Sequence, residues 1–355
     1  FDGLGASVNA ATGKETTHLH ARFLDEHTEE VFDLMAEMLL APTYPEVDSE
    51  REVVLEEIAM YEDEPQDRVH DILAGAVFGD HPLGHRVLGE AGVIASIPVP
   101  EIDAYHGQRY TGPNVVVGAA GHLDHDRIVA LTERLISPPA GTNGAGPAAE
   151  PDDEARLRFY PKDTEQYHIC FGAPGIVRAD ERRYGLAVLD AIFGGSTSSR
   201  LFREVREKRG LAYSVGSYNE QYSDSGLVAT YVGTREDNVE EACEVIGSEL
   251  ARLRSEPVST VELARAKESV KGRLVLSSES TAARMTRISR ATLFGLPIDS
   301  LDEMLSKVDA VTVDELTELA GELYGAARLS AACIGRDESH FRAALAPVSE
   351  RLAAA

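Results

Sequence analysis

"EEVFDLMAEMLLAPTYPEVDSEREVV" (Glu29 to Val54) and "EEACEVIGSELARLRSEPVSTVELARAKESV" (Glu240 to Val270) follow one plan. Each spaces apolar residues as one face of a helix, breaks at a proline-containing turn, and resumes as a second helix. The likeness continues downstream. "VFGDHPLG" from Val77 is echoed by "LFGLPIDS" from Leu293, and "VPEIDAYHGQRY" from Val99 by "VDELTELAGELY" from Val313. An alternating apolar run ending in glycine then follows in both places, "NVVVGAAG" and "LSAACIG", and each reads as a strand. "TTHLHARFLD" from Thr16, "EQYHICFGAP" from Glu165 and "GLVATYVGT" from Gly226 read as further strands. One order of elements used twice is a tandem duplication. The expected fold is α+β: two homologous domains, each a mainly antiparallel sheet with helices packed on one face, which could face each other across a cleft.

"SPPAGTNGAGPAAEPDDE" (Ser137 to Glu154) has no hydrophobic period and cannot build a core, so it reads as a linker. The expected domains are 1–136 and 155–355, with 137–154 between them. The second unit begins near Arg156, and its first fifty-odd residues have no counterpart in the first. Phe1 already corresponds to a point near Arg209. The first domain is therefore expected to lack its opening strand and the helix after it, and the sequence as given to be incomplete.

The formal charge of −26 argues against nucleic acid or an anionic membrane surface as the main partner, since both need basic patches. It leaves a cationic peptide open as ligand. No apolar run approaches membrane-spanning length, and no signal peptide opens the chain, although Phe1 is not an initiator methionine. Cys170, Cys243 and Cys333 are odd in number and lie in apolar surroundings. Buried thiols in a reducing compartment fit them better than a disulfide framework, and a cytoplasmic location is expected.

Within "SEREVVLEEIAMYEDEP" (Ser49 to Pro65), Glu50 and Glu57 stand seven residues apart, two helical turns, and so share a stripe. Two readings compete, a solvated face and a paired carboxylate with a task. With the two long helices in register, Arg51 meets Arg265, Glu50 meets Ala264 and Glu57 meets Lys271. The packing positions persist while both carboxylates disappear. A solvated face would drift in this way too, yet the comparison favours a task, and a metal is one good reason for paired carboxylates.

Three stretches, "EREVVLEEIAMYEDEP" from Glu50, "FGDHPLGHRVLG" from Phe78 and "GGSTSSRLFREVREKRGLAYSVGSY" from Gly194, resemble the insulinase/pitrilysin family of zinc peptidases. The likeness is to its bacterial, mitochondrial-processing-peptidase-like branch and covers nearly the whole chain. It implies two homologous domains forming a clamshell, the first carrying an inverted zinc motif, H-x-x-E-H, with a distal glutamate as third ligand. Matched residue by residue, Glu57 is that ligand and Glu50 an acidic neighbour that orients the site. Arg206 and Tyr213 match a pair that reaches toward the substrate carbonyl, although a surface arginine and a core tyrosine are the plain alternative. Asn9 and Ala10 match an edge strand onto which substrates add as an extra strand, with an ordinary strand end as the alternative.

H-x-x-E-H itself does not occur in the 355 residues. In the family it precedes the region resembling "FDGLGASVNAATGKETT", the part that the repeat shows to lack a counterpart. Leu186, Leu189 and Asp190 stand at the motif positions of the second unit, which cannot bind zinc there. His18 with His20, and His81 with His85, could each mimic a metal pair. "HPLGH", however, contains residues that spoil the helix such a pair needs, and it reads as a loop. "GGSTSS" lacks the lysine of a phosphate loop and reads as a turn after a helix.

Two functions remain open. One is a zinc endopeptidase that cuts small or unfolded peptides enclosed between its domains, although these 355 residues alone are expected to be inactive. The other is a non-catalytic member that serves as binding or partner subunit of an active homologue. Assembly as a homodimer, or as a heterodimer with a homologue, goes with either.

Overall fold

The structure, a computed structural model, describes residues 1–141 and 154–354. Most of the expected linker, 142–153, lies outside the described residues. In the first half a hairpin of β1 (Ser7–Thr12) and β2 (Thr17–Arg22) leads to α1 (Thr28–Leu40), α2 (Val47–Asp63), α3 (Pro65–Phe78), α4 (Ala91–Ser96), α5 (Val99–Arg109) and α6 (His125–Leu135). The second half opens with β3 (Leu157–Pro161), β4 (Gln166–Pro174) and α7 (Arg183–Phe193). It then repeats the order: a hairpin of β5 (Ala212–Gln221) and β6 (Gly226–Arg235), then α8 (Val239–Ser255), α9 (Thr260–Ser278), α10 (Thr281–Leu293), α11 (Leu301–Ala310) and α12 (Val313–Leu323). After α12 come β7 (Ser330–Gly335), α13 (Glu338–Ala343) and α14 (Glu350–Ala354). This is an α+β fold, and the shared order of hairpin and five helices is what the repeat predicts.

The described residues form two compact units that interleave along the chain: 1–58, 87–141 and 275–300 in one, and 59–86, 154–274 and 301–354 in the other. Each half thus lends a helix to the unit formed mainly by the other. α3 goes one way and α10 the other.

The larger unit holds a five-stranded sheet in the order β3-β7-β4-β6-β5, antiparallel except for the β3–β7 pair. β4 and β6 are buried on both faces, so "YHICFGAP" and "GLVATYVGT" read as near-continuous apolar runs. One face carries Tyr167, Ile169, Phe171, Val228, Val232 and Cys333, packed with α7, α8 and α12. The opposite face, with Cys170, Leu227, Ala229, Tyr231, Ala332 and Ile334, is covered by Val69, Leu73 and Val77 of α3.

Pro65 starts α3 where a missing N–H costs nothing, and Val69, Leu73 and Val77 recur at the four-residue spacing of one helical stripe. Burying them contributes roughly 1.5–3 kcal/mol each. Gly172 makes the close approach possible, since a Cβ there would stand 2.9 Å from Leu73 Cδ2.

In the smaller unit β1 and β2 pair antiparallel, with no third strand among the described residues. The strand expected at "NVVVGAAG" does not form: 115–120 carries no ladder. Its counterpart β7 is hydrogen-bonded on one side to β3 and on the other to β4. Among the described residues no strand lies alongside 115–120 to complete such a ladder. α10 lies against it instead, close enough that a Cβ on Gly118 would fall 1.9 Å from Ser289 Oγ.

Candidate functional site

α2 carries the two carboxylates singled out in the sequence. It runs for 17 residues and buries only Ile58 fully. Glu50 and Glu57 are both exposed, and among the described residues neither carboxylate has a hydrogen-bond or ion-pair partner. Arg51, beside Glu50, turns its guanidinium to the carbonyl oxygens of Ile94 and Ile97, the latter at 2.9 Å. Its counterpart Arg265 likewise donates to a carbonyl, that of Ser198, at 3.2 Å. The arginine therefore serves the repeated fold, whereas the carboxylates belong to one copy. Lys271, in the place of Glu57, is engaged with Glu268 at 2.6 Å and Asp309 at 2.9 Å.

The structure brings Arg206 and Tyr213 together. Arg206 lies in a π-helical turn, Phe202–Glu207, with its guanidinium carbon 4.7 Å from the Phe202 ring centroid and 4.3 Å from that of Tyr213. Tyr213 falls at a register shift in β5, between the pairs Ala212↔Thr234 and Ser214↔Gly233. A bulge re-aims its side chain, which is why this phenol stands 78 % exposed beside a buried strand. The loop is held by Thr234 Oγ1, which donates to Leu211 O at 2.7 Å. Tyr213 is an exposed phenol stacked with a guanidinium, so the core-tyrosine alternative does not describe it.

Asn9 and Ala10 lie in β1, paired with His20 and Leu19. β1 has one strand neighbour, so its outer edge is unpaired among the described residues. The Asn9 amide oxygen accepts from Ala10 N–H at 2.8 Å. Asn9, Ala10, Glu50 and Glu57 belong to the smaller unit, and Arg206 and Tyr213 to the larger.

Zinc needs three protein ligands in a site that leaves one position open. Among the described residues no group of three or more His, Cys, Asp or Glu side chains could hold a metal. Glu57 supplies one exposed carboxylate, so these residues by themselves do not fit a zinc ion. His81 caps a short 3-10 turn, Pro82–Gly84, and its Nδ1 accepts from Leu83 N–H at 3.2 Å. "HPLGH" is thus a loop. Cys170, Cys243 and Cys333 are free and buried.

Sequence reasoning missed two features. Asp190 ends up half-buried, accepting a 2.6 Å hydrogen bond from Ser217 Oγ, and burial pushes its carboxyl up to about 6. The apolar stretch "LAVLDAIF" around it was the available signal. Second, Glu62 at the end of α2 is gripped by several cations. Its partners Arg68, Arg86 and Lys162 are spread over a hundred residues, and no local pattern joins them.

Two family models match in tandem: "Insulinase (Peptidase family M16)" over residues 1–91 and "Peptidase M16 inactive domain" over 96–270. An uncharacterized zinc protease of Bacillus subtilis, YmxG, is 38 % identical over 91 % of this chain and 80 % of its own length. One from Streptomyces coelicolor is 37 % identical over 92 % and 73 %. The chain belongs to peptidase family M16, the insulinase family. Its fold also matches a peptidase M16 inactive domain from Pseudomonas fluorescens, with a TM-score of 0.89 at 22 % identity, covering 95 % of this chain and 82 % of that one. A protease from Helicobacter pylori matches with a TM-score of 0.85 at 19 % identity, covering 94 % and 82 %. No described helix is long and apolar enough to cross a membrane.

Proposed function

We propose that these residues form the peptide-binding framework and the distal carboxylate of a zinc endopeptidase that cuts small or unfolded peptides enclosed between two homologous domains. The observation that carries this reading is the pair of unpartnered carboxylates, Glu50 and Glu57. They sit in one stripe of α2 while the copy of that helix holds Ala264 and an ion-paired Lys271. A solvated face would drift in this way too, yet the loss of both carboxylates while Arg51 keeps its counterpart Arg265 favours a task. The naming of 36–38 % identical relatives as zinc proteases supports it.

The zinc site requires two imidazoles that the 355 residues do not supply, those of an H-x-x-E-H segment, with Glu57 as the third ligand and Glu50 orienting the set. What the chain's own residues would do is hold substrate. The open edge of β1 at Asn9 and Ala10 pairs with an extended peptide through main-chain hydrogen bonds, which tolerates many sequences. The Arg206 guanidinium and Tyr213 hydroxyl donate to the carbonyl oxygen of the bond to be cut, where negative charge develops.

Metal analysis of the complete gene product tests the assignment. Glu57→Gln should lower bound zinc about tenfold or more, while Glu50→Gln lowers turnover with a smaller loss of metal. Unchanged zinc in Glu57→Gln contradicts the ligand role.

A second reading, a non-catalytic partner subunit of an active homologue, draws on the absence of a metal-binding group among the described residues and on the match to an inactive domain over 96–270. A complete gene product without H-x-x-E-H, isolated as a heterodimer with a homologue, would favour it.

A further inference from the structure

The two ends of α2 are held differently, and the difference bears on Glu57. Of its 17 residues only Ile58 is buried, with Val54, Leu55 and Tyr61 half-buried on the same stripe. Polar contacts add to that narrow stripe at the C-terminal end. Five residues past Glu57, about 7.5 Å along the axis, Glu62 places one carboxylate oxygen against Arg68 and the other 2.6 Å from Arg86 Nη1. Arg68 is 6 % exposed, and its guanidinium carbon lies over the Tyr160 ring, 3.7 Å from the centroid. It is a cation fixed by the core rather than one swinging in solvent. Lys162 Nζ donates to the Glu62 carbonyl at 2.8 Å and to Asp63 Oδ1 at 3.0 Å, satisfying a terminal carbonyl and opposing the negative end of the helix. Tyr61 Oη donates to Asp67 O at 3.0 Å, tying the same turn to the start of α3.

Burial alone would raise the Glu62 carboxyl. The hydrogen bond from Arg86 and the charge of Arg68 outweigh it and hold the group below the usual carboxylate range. The acid is ionised and paired throughout the neutral range.

The duplicate helix supplies the comparison. In the register that sets Glu57 against Lys271, Glu62 falls on Leu276, which is 73 % exposed. Arg51 and Arg265 keep their carbonyl contacts in both copies, but the Glu62 grip exists only in the copy that bears Glu57. A device needed for folding alone would be expected in both.

We propose that Arg68, Glu62, Arg86 and Lys162 are positioning residues that fix the last turns of α2 and thereby the place of the Glu57 carboxylate. This rests on the peptidase reading above. The experiment uses the complete gene product and compares wild type, Glu62→Gln and Lys162→Met. Glu62→Gln keeps the shape and loses the charge. For each, steady-state cleavage of a flexible fluorogenic peptide is measured beside amide hydrogen exchange over 55–63 and the thermal midpoint. Glu62→Gln should exchange about tenfold faster over 55–63 and lose about tenfold in kcat with KM changed less than about twofold. Lys162→Met should do the same more weakly, and Glu62→Asp should recover part of the loss. Faster exchange with unchanged kcat overturns the inference, as does unchanged exchange. A fall in kcat matched by global loss of the thermal transition in both variants overturns it as well. Wild-type protein that cleaves nothing contradicts the peptidase reading itself, whereas wild type and Glu62→Gln that cleave equally contradict only the positioning role.

Discussion

Asp190 occupies the place in the second half where the inverted zinc motif would put its last histidine. The fold has made it a half-buried acid bonded to Ser217. Its carboxyl is pushed up to about 6 from an ordinary 3.8, so the folded protein disfavours the ionised form. The sign follows. Below the unfolded value the acid is protonated in both states and costs nothing. As pH rises from about 4 through 6, the unfolded chain ionises first, and stability is lost. Asp190→Asn removes this dependence. Relative to wild type, the variant should gain roughly 2–3 kcal/mol in unfolding free energy between pH 4 and pH 7.5, measured by urea denaturation at both. An equal difference at the two pH values contradicts the assignment. Tyr213 carries the second prediction at this scale. Removing its hydroxyl as Tyr213→Phe keeps the ring against Arg206, so bound zinc should stay unchanged while kcat falls about 10²-fold, as for loss of one donor to a developing oxyanion. A Tyr213→Phe enzyme with wild-type kcat contradicts that role.

At the scale of elements, the exchanged helix α3 is the most consequential. Leu73 is fully buried between α3 and the sheet, so Leu73→Ala should cost about 2–5 kcal/mol. Gly172→Ala pushes a methyl toward Leu73 and the Val228 carbonyl and should cost about 1–3 kcal/mol. Chemical denaturation of both variants checks this, and a neutral Leu73→Ala would mean α3 is not docked as described. The stripe Val69–Leu73–Val77 is plain in the sequence because helical spacing is local. Its destination is not, since an apolar stripe does not say which sheet it will cover. The same limit explains "NVVVGAAG". Alternation shows that a run can be a strand, but a strand exists only if neighbours supply the other half of its ladder. The bulge that exposes Tyr213 was hidden for a related reason: one extra residue in a ladder is visible only when both strands are paired. By contrast, the shared helix of Glu50 and Glu57 was legible because two turns of one helix, and the substitution of both in its copy, can be read from the chain alone.

For the whole molecule, duplication explains the asymmetry of the chemistry. Both copies keep the scaffold, and only the first keeps free carboxylates on α2. The 355 residues, with one proposed ligand, should bind zinc weakly and cleave nothing, since a single carboxylate cannot replace two imidazoles. The most direct test of the proposed zinc peptidase is therefore cleavage of a quenched fluorescent, unstructured peptide by the complete gene product, with and without a chelator. The account predicts hydrolysis that stops on chelation and returns on adding zinc. Hydrolysis that survives chelation, or a complete protein that binds the peptide and never cuts it, would contradict it.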